Sequence, residues 1–444
     1  MSDNAANNRT PSLRLLVTTV APFVLLAAVL LALAYLWLDP NPPKRVVLAT
    51  GVEQGAYSEF GKRYAAWLSR YGVRVELRQT QGAAENLALL RDPGSGVELA
   101  FVQGGAGEER RNDDGAEESL NSLGSMFYEP VWLFYRTESA QKLLKAPRLE
   151  RLAQLAGWRV NIGASGSGVP NLARRMLDAN RIDPGTITLV QQPLTPAVVD
   201  LLEAKLDAIV LASAPESLMV QMLLQTPGVQ LFDFAQADAY TRRFGFLSAV
   251  TLPRGVVDLA ADMPAADVHM VAPTATLVAR KDLHPALAQL FVQAAQQVHG
   301  EPGWFQHKGD FPNARDGERE LAAEAQRFYR NGVPWLQRYL PFWLANLIDR
   351  MWLALLSIVA VLIPLARVVP PLIELRIRAR VFRWYGRLRE IEAATAAHPA
   401  AKLLGELDDI ETRVGQIQVP LSYTDELYAL KSHIQLVRRR LQTP

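Results

Sequence analysis

Residues 159–170 read RVNIGASGSGVP, and this stretch indicates the class of fold. Its first four residues form a short, largely apolar run of the kind found in buried strands, and a glycine-rich turn follows at once. Pro170 then suits the first turn of a helix, where a backbone N–H is not needed. A strand that passes through glycines into a helix predicts a βα unit of a parallel sheet. Such a unit places free N–H groups and the positive end of a helix dipole at the carboxyl edge of the sheet.

Two further turns of the same kind precede helical patterns, TGVEQGAY at residues 50–57 and TQGAAEN at residues 80–86. The strand and helix patterns alternate in two separate series. Predicted strands cover residues 46–49, 73–77, 99–102, 159–162, 187–190 and 208–210, and predicted helices cover 57–68, 84–91, 170–179, 197–204 and 216–224. Two such series predict two α/β lobes, each with a parallel sheet and crossover helices.

Segments outside the two series can join the lobes. The aromatic stretch MFYEPVWLFY at residues 126–135 predicts a long strand that crosses from lobe 1 (about 45–125) to lobe 2 (about 136–250). Residues 274–279 and a helix over 285–298 predict the return of the chain. Two lobes joined by extended strands form a cleft, and small ligands often bind in clefts between domains. The acidic stretch 104–118 is most simply a solvated loop.

A long apolar run near the N-terminus predicts a membrane segment. Leu15 to Leu38 contains 24 residues without a charge, and about 20 helical residues span a bilayer core. Arg9 and Arg14 precede the run, so the positive-inside rule places residues 1–14 in the cytoplasm. The run is either a retained anchor or, because Ala32-Leu33-Ala34 resembles a signal-peptidase site, a cleaved signal. In both cases residues 39–343 leave the cytoplasm.

A second apolar run, Met351 to Ala366, continues past Arg367 to Ile373. Its length alone also fits a buried core helix. However, residues 367–391 contain seven arginines, and such a cluster is typical of a cytoplasmic membrane edge where arginine meets anionic lipid. Trp343 and Trp352 suit the opposite interface. We therefore predict a second transmembrane helix over 347–373, both termini in the cytoplasm, and a location in the cell inner membrane.

Residues 374–444 predict a basic helix followed by a helical hairpin. Apolar residues recur at three- and four-residue spacing over residues 403–417 and 427–441, and Pro420 lies between the two segments. This pattern is typical of amphipathic helices. The hairpin either packs on itself or uses residues 400–441 for a coiled-coil contact with a partner or a second copy.

Composition and motifs argue against most enzymes. The chain has no cysteine, which excludes disulfides, thiolate nucleophiles and cysteine-ligated metals. Nucleotide-binding P-loops and G-x-S-x-G elbows are absent from the sequence, and the glycines of residues 163–168 have the wrong spacing for a dinucleotide fingerprint. None of the six histidines pair at i, i+4. We expect no catalytic residues, no metal site and no cofactor, and the slight acidic excess of residues 39–346 argues against nucleic acid as a partner.

Several short segments, through their order and spacing, carry a resemblance to a known family. They are Thr50-Gly51 with Gly55, Tyr57 and Gly61; Thr80 and Gly82 with Glu85-Asn86-Leu87; Glu98 to Gln103; Tyr128 with Pro130; Gly163-Ala164 with Gly166-Ser167-Gly168; Leu206-Asp207-Ala208 with Pro215; and Val271 to Leu283. Over about residues 45–300 the chain resembles the solute-binding proteins of TRAP transporters, in particular the TAXI group. The resemblance implies a two-lobed, periplasmic-binding-protein-like (Venus flytrap) domain. Such a domain closes on a small organic acid or amino acid, and glutamate-like ligands are typical of the group.

The resemblance also assigns ligand contacts to both lobes. The implied ligand-binding residues are Thr50, Gly51, Gly55, Tyr57, Thr80, Gln81 and Gln103 in the first lobe, and Ser165, Gly166, Ser167 and Gly168 in the second. Hydroxyls and backbone amides at helix starts can hold a carboxylate without an arginine. Structural roles stay open for the same residues: Tyr57 could be a core ring, and Thr50 could cap a helix.

Three departures from the family pattern bear on function. Val52, Glu53 and Gln54 stand where small residues are usual, and Ala83 replaces a small hydroxyl residue. If Glu53 points inward, it repels a plain dicarboxylate and favours an amino-bearing or cationic ligand. The chain also carries two predicted spans, whereas receptors of this group are usually soluble.

Three functions therefore remain open. The chain could be the receptor of a TRAP-type uptake system with separate permease subunits, or a sensor or scaffold that acts through its cytoplasmic helices. It could also be a structural protein whose pocket has decayed.

Overall fold

The computed structural model describes residues 13–38, 41–53, 55–107, 119–215, 217–315, 318–394, 398–416 and 424–442. These residues form two compact units, one over Asn41–Asn346 and the other over Met1–Pro40 with Leu347–Pro444. Several sequence predictions lie outside the described residues, namely most of the tail 1–14, Gln54, most of the loop 104–118 and the break near Pro420.

The strands agree with most of the predicted ones to within one or two residues. They are β1 (Arg45–Ala49), β2 (Arg74–Arg78), β3 (Leu99–Gln103), β4 (Leu120–Tyr128), β5 (Val131–Arg136), β6 (Arg159–Asn161), β7 (Thr188–Val190), β8 (Ala208–Ala212), β9 (Val229–Leu231), β10 (Leu247–Leu252) and β11 (Val268–Arg280).

Helices follow most of the strands. They are α1 (Leu13–Leu38), α2 (Ala56–Leu68), α3 (Ala83–Arg91), α4 (Thr137–Leu144), α5 (Val169–Ala179), α6 (Leu194–Leu202), α7 (Leu218–Leu224), α8 (Ala237–Arg243), α9 (Pro285–His299), α10 (Ala323–Asn331), α11 (Phe342–Ala366), α12 (Val369–Ala393), α13 (Ala400–Gly415) and α14 (Thr424–Gln442).

Lobe 1 is built on the sheet β11-β3-β1-β2, with β4 paired to β11. The same sheet continues from β11 to β10, whose Leu247 and Leu252 pack in the cores of lobe 2. Strands β1, β2 and β3 are parallel, as predicted, whereas β11 runs antiparallel to both β3 and β4. The fully buried β3 and the apolar faces of α2 and α9 form its core, around Tyr64, Phe101 and Phe291. Each large apolar side chain buried in this way contributes about 1.5–3 kcal/mol to stability.

Lobe 2 is built on the sheet β7-β6-β8-β5-β9. Strands β6, β7 and β8 are parallel, and β5 pairs antiparallel with β8 and β9. The sheet has an apolar core on each face, one around Trp158 and the other around Trp132. The prediction of parallel sheets was therefore wrong in part, because strands that cross between the lobes enter both sheets in the opposite direction.

Two adjacent stretches of strand carry the chain between the lobes, and together they form the hinge. The predicted aromatic strand over residues 126–135 is two strands, β4 and β5, broken at Glu129 and Pro130. Proline lacks the N–H that a continuous ladder requires. Beside this break, β11 passes from β10 to β4, and the backbone N–H of Glu129 donates to the carbonyl of Pro273 at 2.9 Å.

Asp207, in one of the segments that carry the family resemblance, has a structural role in lobe 2. Its carboxylate accepts hydrogen bonds from the Ser139 hydroxyl at 2.7 Å and from the backbone and Nε of Arg159 at 2.9 and 3.0 Å. Burial by itself would raise the pKa of Asp207, but the hydrogen bonds from Arg159 and Ser139 outweigh it, and the pKa lies below its ordinary value. Through these hydrogen bonds, Asp207 connects α4 and β6 to the start of β8.

One helix within the described residues is long and apolar enough to cross a membrane, Phe342–Pro364 in α11. Only 11% of its apolar window is buried, which argues against the alternative of a core helix. Among the residues of α1 whose side chains the structure describes, the apolar segment is Ala21–Trp37, which is shorter than a full span. The first span therefore stays a prediction.

The described part of the C-terminal segment contains three helices, the arginine-rich α12 and the helices α13 and α14 at the place of the predicted hairpin. Leu407 and Val414 of α13 and Leu430 and Ile434 of α14 are completely or almost completely buried, and Leu388 and Ile391 of α12 join the same apolar core. The heptad residues of the described part thus pack within the chain, because α12 covers the face that two short helices leave open.

Candidate ligand-binding site

A cavity of about 400 Å³ lies between the two lobes. Residues from lobe 1, from lobe 2 and from the hinge contribute to its wall. Its volume falls within the range of pockets that hold small organic molecules.

Four helices of eight or more residues begin at the cavity wall, counted over the described residues. Their first positions follow Gly55 in α2, Gly82 in α3, Gly168 in α5 and Pro193 in α6, and all four of these residues line the cavity. The first backbone N–H groups of a helix have no partner inside the helix, and the helix dipole is positive there. The cavity therefore offers hydrogen-bond donors and a favourable field to an anionic group.

Glu129 places a carboxyl group in the cavity at the hinge. The residue is 4% exposed, and its Oε2 accepts a hydrogen bond of 2.7 Å from the Tyr57 hydroxyl. Burial raises the pKa of Glu129 to about 8, although the Tyr57 hydroxyl acts in the opposite direction. The pKa of Tyr57 is also raised, chiefly by burial and then by Glu129. At neutral pH the empty cavity thus contains a protonated carboxyl group.

Gln103, at the end of β3, has an unused donor in the same cavity. The residue is 3% exposed, and its Nε2 has no hydrogen-bond partner among the described residues. A buried, unpaired amide costs about 1–3 kcal/mol. A polar ligand atom at this position would remove that cost.

The two lobes touch at one rim of the cavity. The N–H of Glu85, in the first turn of α3, donates to the carbonyl of Gly166 in lobe 2 at 3.0 Å. From α5, Asn171 and Arg175 donate to the carbonyls of Ala106 and Gly107 at 3.1 and 2.9 Å. These contacts hold the lobes in a closed arrangement.

Two glycines permit this approach. A Cβ atom on Gly166 would lie 2.6 Å from the Cβ of Gln81, and one on Gly82, where φ is +135°, would lie 3.2 Å from the Cα of Ser167. At less than 3.0 Å something must shift, and since a Cβ atom is fixed to its Cα, the shift at Gly166 and Gln81 would involve the main chain. Glycine at residue 166 is therefore a condition of the closed state.

Most of the ligand-binding residues proposed from the sequence line the cavity. These are Gly51, Gly55, Tyr57, Gln81, Gln103, Ser167 and Gly168. The Ser167 hydroxyl, however, donates to the carbonyl of Ala164 at 2.7 Å, so its Oγ acts within the turn.

The other four do not line the cavity: Thr50, Thr80, Ser165 and Gly166. Thr50 is buried and its hydroxyl donates to the carbonyl of Arg78, while Thr80 bonds to Asn86 at 2.7 Å. Both hydroxyls therefore bind the adjoining strands and turns together. Ser165 is exposed, and Gly166 forms the contact between the lobes.

Glu129 was missed in the sequence, although a signal was present. A charged residue followed by proline inside an apolar aromatic run is unusual in a strand and marks a break. Glu53 is exposed, and it also lines the cavity. The start of α6 around Thr195 and the residues after β8, Ser213 and Ser217, also line the cavity and carried no distinctive motif. Among the described residues no cluster of metal-ligating side chains occurs.

The profile of the NMT1-like family matches residues 48–296, which cover both lobes and the hinge. The alkanesulfonate-binding protein SsuA from Xanthomonas axonopodis pv. citri is 16% identical, with 46% of this chain and 69% of that chain covered and a TM-score of 0.32. A protein from Bordetella bronchiseptica RB50 is 14% identical, with coverages of 58% and 71% and a TM-score of 0.39. A structure described as a periplasmic transporter is 12% identical, with coverages of 59% and 85% and a TM-score of 0.39. No curated protein sequence matches the chain.

Proposed function

Because this chain belongs to the NMT1-like family, we propose that residues 39–343 form an extracytoplasmic solute-binding domain that closes on a small organic acid or amino acid. The observation that carries the proposal is the cavity between the lobes, whose wall combines helix starts, a hinge carboxyl group and an unused amide. A ligand that contacts both lobes favours the closed state over an open one, and so drives closure.

The domain acts next to a membrane in this proposal. Helix α11 follows the domain directly and has the length and apolarity of a span. With α1 as a second span, both termini and the arginine-rich α12 lie on the cytoplasmic side, where arginine meets anionic lipid. Attachment to the membrane raises the effective concentration of the domain at any membrane partner.

The preferred role is that of a receptor in a TRAP-type uptake system, of the TAXI kind. Two spans cannot form a permease in one chain, so the receptor requires separate permease subunits. The second candidate is a sensor or scaffold that acts through the cytoplasmic helices. It is favoured by the packed core that α12, α13 and α14 form, which a simple anchor does not need.

A ligand screen on the full-length chain in detergent or nanodiscs tests the binding function. A ligand present at about 100 times its Kd stabilises the folded state by about 2.7 kcal/mol, which raises the melting temperature. We expect some organic acids or amino acids to give this shift. The absence of a shift with every member of both classes would contradict the solute-binding function.

Cross-linking separates the two candidate roles. Photo-cross-linkers in residues 376–444 and on the surface of lobes 1 and 2 should capture integral membrane subunits if the protein is an uptake receptor. Capture of soluble cytoplasmic proteins by residues 376–444, with no membrane subunit at the lobes, would favour the sensor or scaffold.

A further inference from the structure

The charged side chains of the cavity are not those expected in a site for an organic acid that has no amino group. Among the described residues that line it, Glu53 and Glu129 are the acidic ones, and lysine, arginine and histidine are absent. Within this described lining, a dicarboxylate would find helix starts as its positive partners, and it would lie beside two carboxyl groups.

No cationic side chain accompanies Glu129 among the described residues of the cavity wall. Of the elements that form the cavity, α2 contributes Tyr57 and the turn before α2 contributes Glu53 as titratable side chains. Among the described residues of β8, of the stretch after it and of the starts of α3, α5 and α6, no titratable side chain lines the cavity. Among the described residues, the Tyr57 hydroxyl is the side-chain group that bonds to the carboxyl group of Glu129, at 2.7 Å from Oε2. Glu129 also lines the cavity, so its carboxyl group keeps acceptor capacity for a ligand.

We propose that the ligand carries a cationic nitrogen that binds the Glu129 carboxylate in the hinge. This inference rests on the proposed solute-binding function and narrows its ligand class. A buried carboxyl group without a cation next to it is costly in the ionised form, and a ligand ammonium at hydrogen-bond distance supplies the missing partner. The four helix starts remain available for an anionic group at the other end of the same molecule.

Binding of such a ligand is coupled to loss of a proton. In the empty protein the pKa of Glu129 is about 8, so at pH 7 the group is mostly protonated. The cation binds the ionised form, hence the carboxyl proton passes to solvent as the ammonium enters and the sum of charges in the site is unchanged. The affinity should increase as the pH rises towards 8, by about tenfold between pH 6 and pH 7.

The experiment compares amino acids with the same molecules lacking the amino group. The full-length chain in nanodiscs is titrated at pH 7 by calorimetry with L-glutamate against glutarate, L-leucine against isocaproate, and the remaining amino acids against their desamino acids. Buffers of different ionisation enthalpy report the number of protons released. We expect one or more amino acids to bind with release of close to one proton, and their desamino partners to bind at least tenfold more weakly.

Two variants locate the effect. Glu129→Gln keeps an acceptor for the Tyr57 hydroxyl but cannot ionise, so it should weaken amino acid binding about tenfold to a hundredfold and abolish proton release. Glu59→Gln removes an exposed carboxylate of α2 that does not line the cavity. It should leave both the affinity and the proton release unchanged, since exposed charges away from the site are screened.

The outcomes separate this inference from the function on which it rests. Desamino acids that bind as tightly as amino acids, or amino acid binding without proton release and insensitive to Glu129→Gln, would overturn the cationic-nitrogen inference and leave solute binding intact. No binding by either series would contradict both.

Discussion

Gly166 of lobe 2 contacts Gln81 of lobe 1 at the rim of the cavity. Closure of the two lobes is therefore sensitive to the addition of one carbon atom at Gly166. A Cβ on Gly166 would lie 2.6 Å from the Cβ of Gln81, and the Gly166 carbonyl accepts a hydrogen bond across the rim from Glu85. If the two lobes are moved apart at this contact, the distance changes between the groups of lobe 1 and lobe 2 that a ligand must contact. Small side-chain changes here should therefore act on ligand binding and not on the stability of either lobe.

Gly166→Ala should weaken binding of the best ligand about tenfold, because the closed state becomes strained by about 1–3 kcal/mol. Calorimetric titration measures the effect. Gly245→Ala is the matched control and should bind normally, because a Cβ added at that glycine would have no neighbour within 4 Å. If Gly166→Ala binds as tightly as the original chain, the closed rim is not part of the bound state.

Gln103→Met should separate binding from stability. The change replaces a buried amide whose Nε2 has no partner among the described residues with an apolar side chain of similar size. We expect the melting temperature of the empty protein to stay the same or to rise, while ligand binding weakens about fivefold or more. A lower melting temperature with unchanged affinity would show that the amide serves the fold and not the ligand.

At the scale of the helices and strands, the local sequence pattern was sufficient to predict the bounds of an element when those bounds depend on its own residues. The predicted helix over 170–179 is α5, one residue longer, because Gly168 and Pro170 fix its start. The direction of β11 and the break after β4 depend on pairing between segments more than a hundred residues apart in the chain, and no local pattern contains that information. For the site, glycine-rich turns predicted the starts of α2, α3 and α5, whereas the start of α6 carried no such motif and Glu129 joins the cavity wall only through the hinge.

The membrane arrangement can be tested element by element, because the chain has no cysteine of its own. Single cysteines at Arg70, exposed on lobe 1, and at Lys402, exposed on α13, provide two reporters. In spheroplasts, an impermeant maleimide should label Arg70→Cys at once and Lys402→Cys only after permeabilisation. Labelling of both sites in intact cells would contradict a cytoplasmic C-terminus.

At the scale of the whole molecule, each compact unit has its own proposed function. Residues 41–346 contain both lobes, the hinge and the cavity, and the family match falls within them. The other unit contains most of the apolar helix α11 and the packed C-terminal helices. The two-lobed class of the fold was evident from the two series of strand and helix patterns, but the ligand class was not, since it depends on charges that the hinge brings into the cavity.

The distance between the lobes with and without ligand tests the central claim most directly. Spin labels at Ala88→Cys on α3 and Arg174→Cys on α5, both exposed, report opening of the cleft in the full-length chain by double electron–electron resonance. With the amino acid or organic acid that stabilises the protein most, the distribution should narrow to a single short distance, and without ligand longer distances should be populated. The same distance distribution in both conditions would contradict a cleft that closes on its ligand.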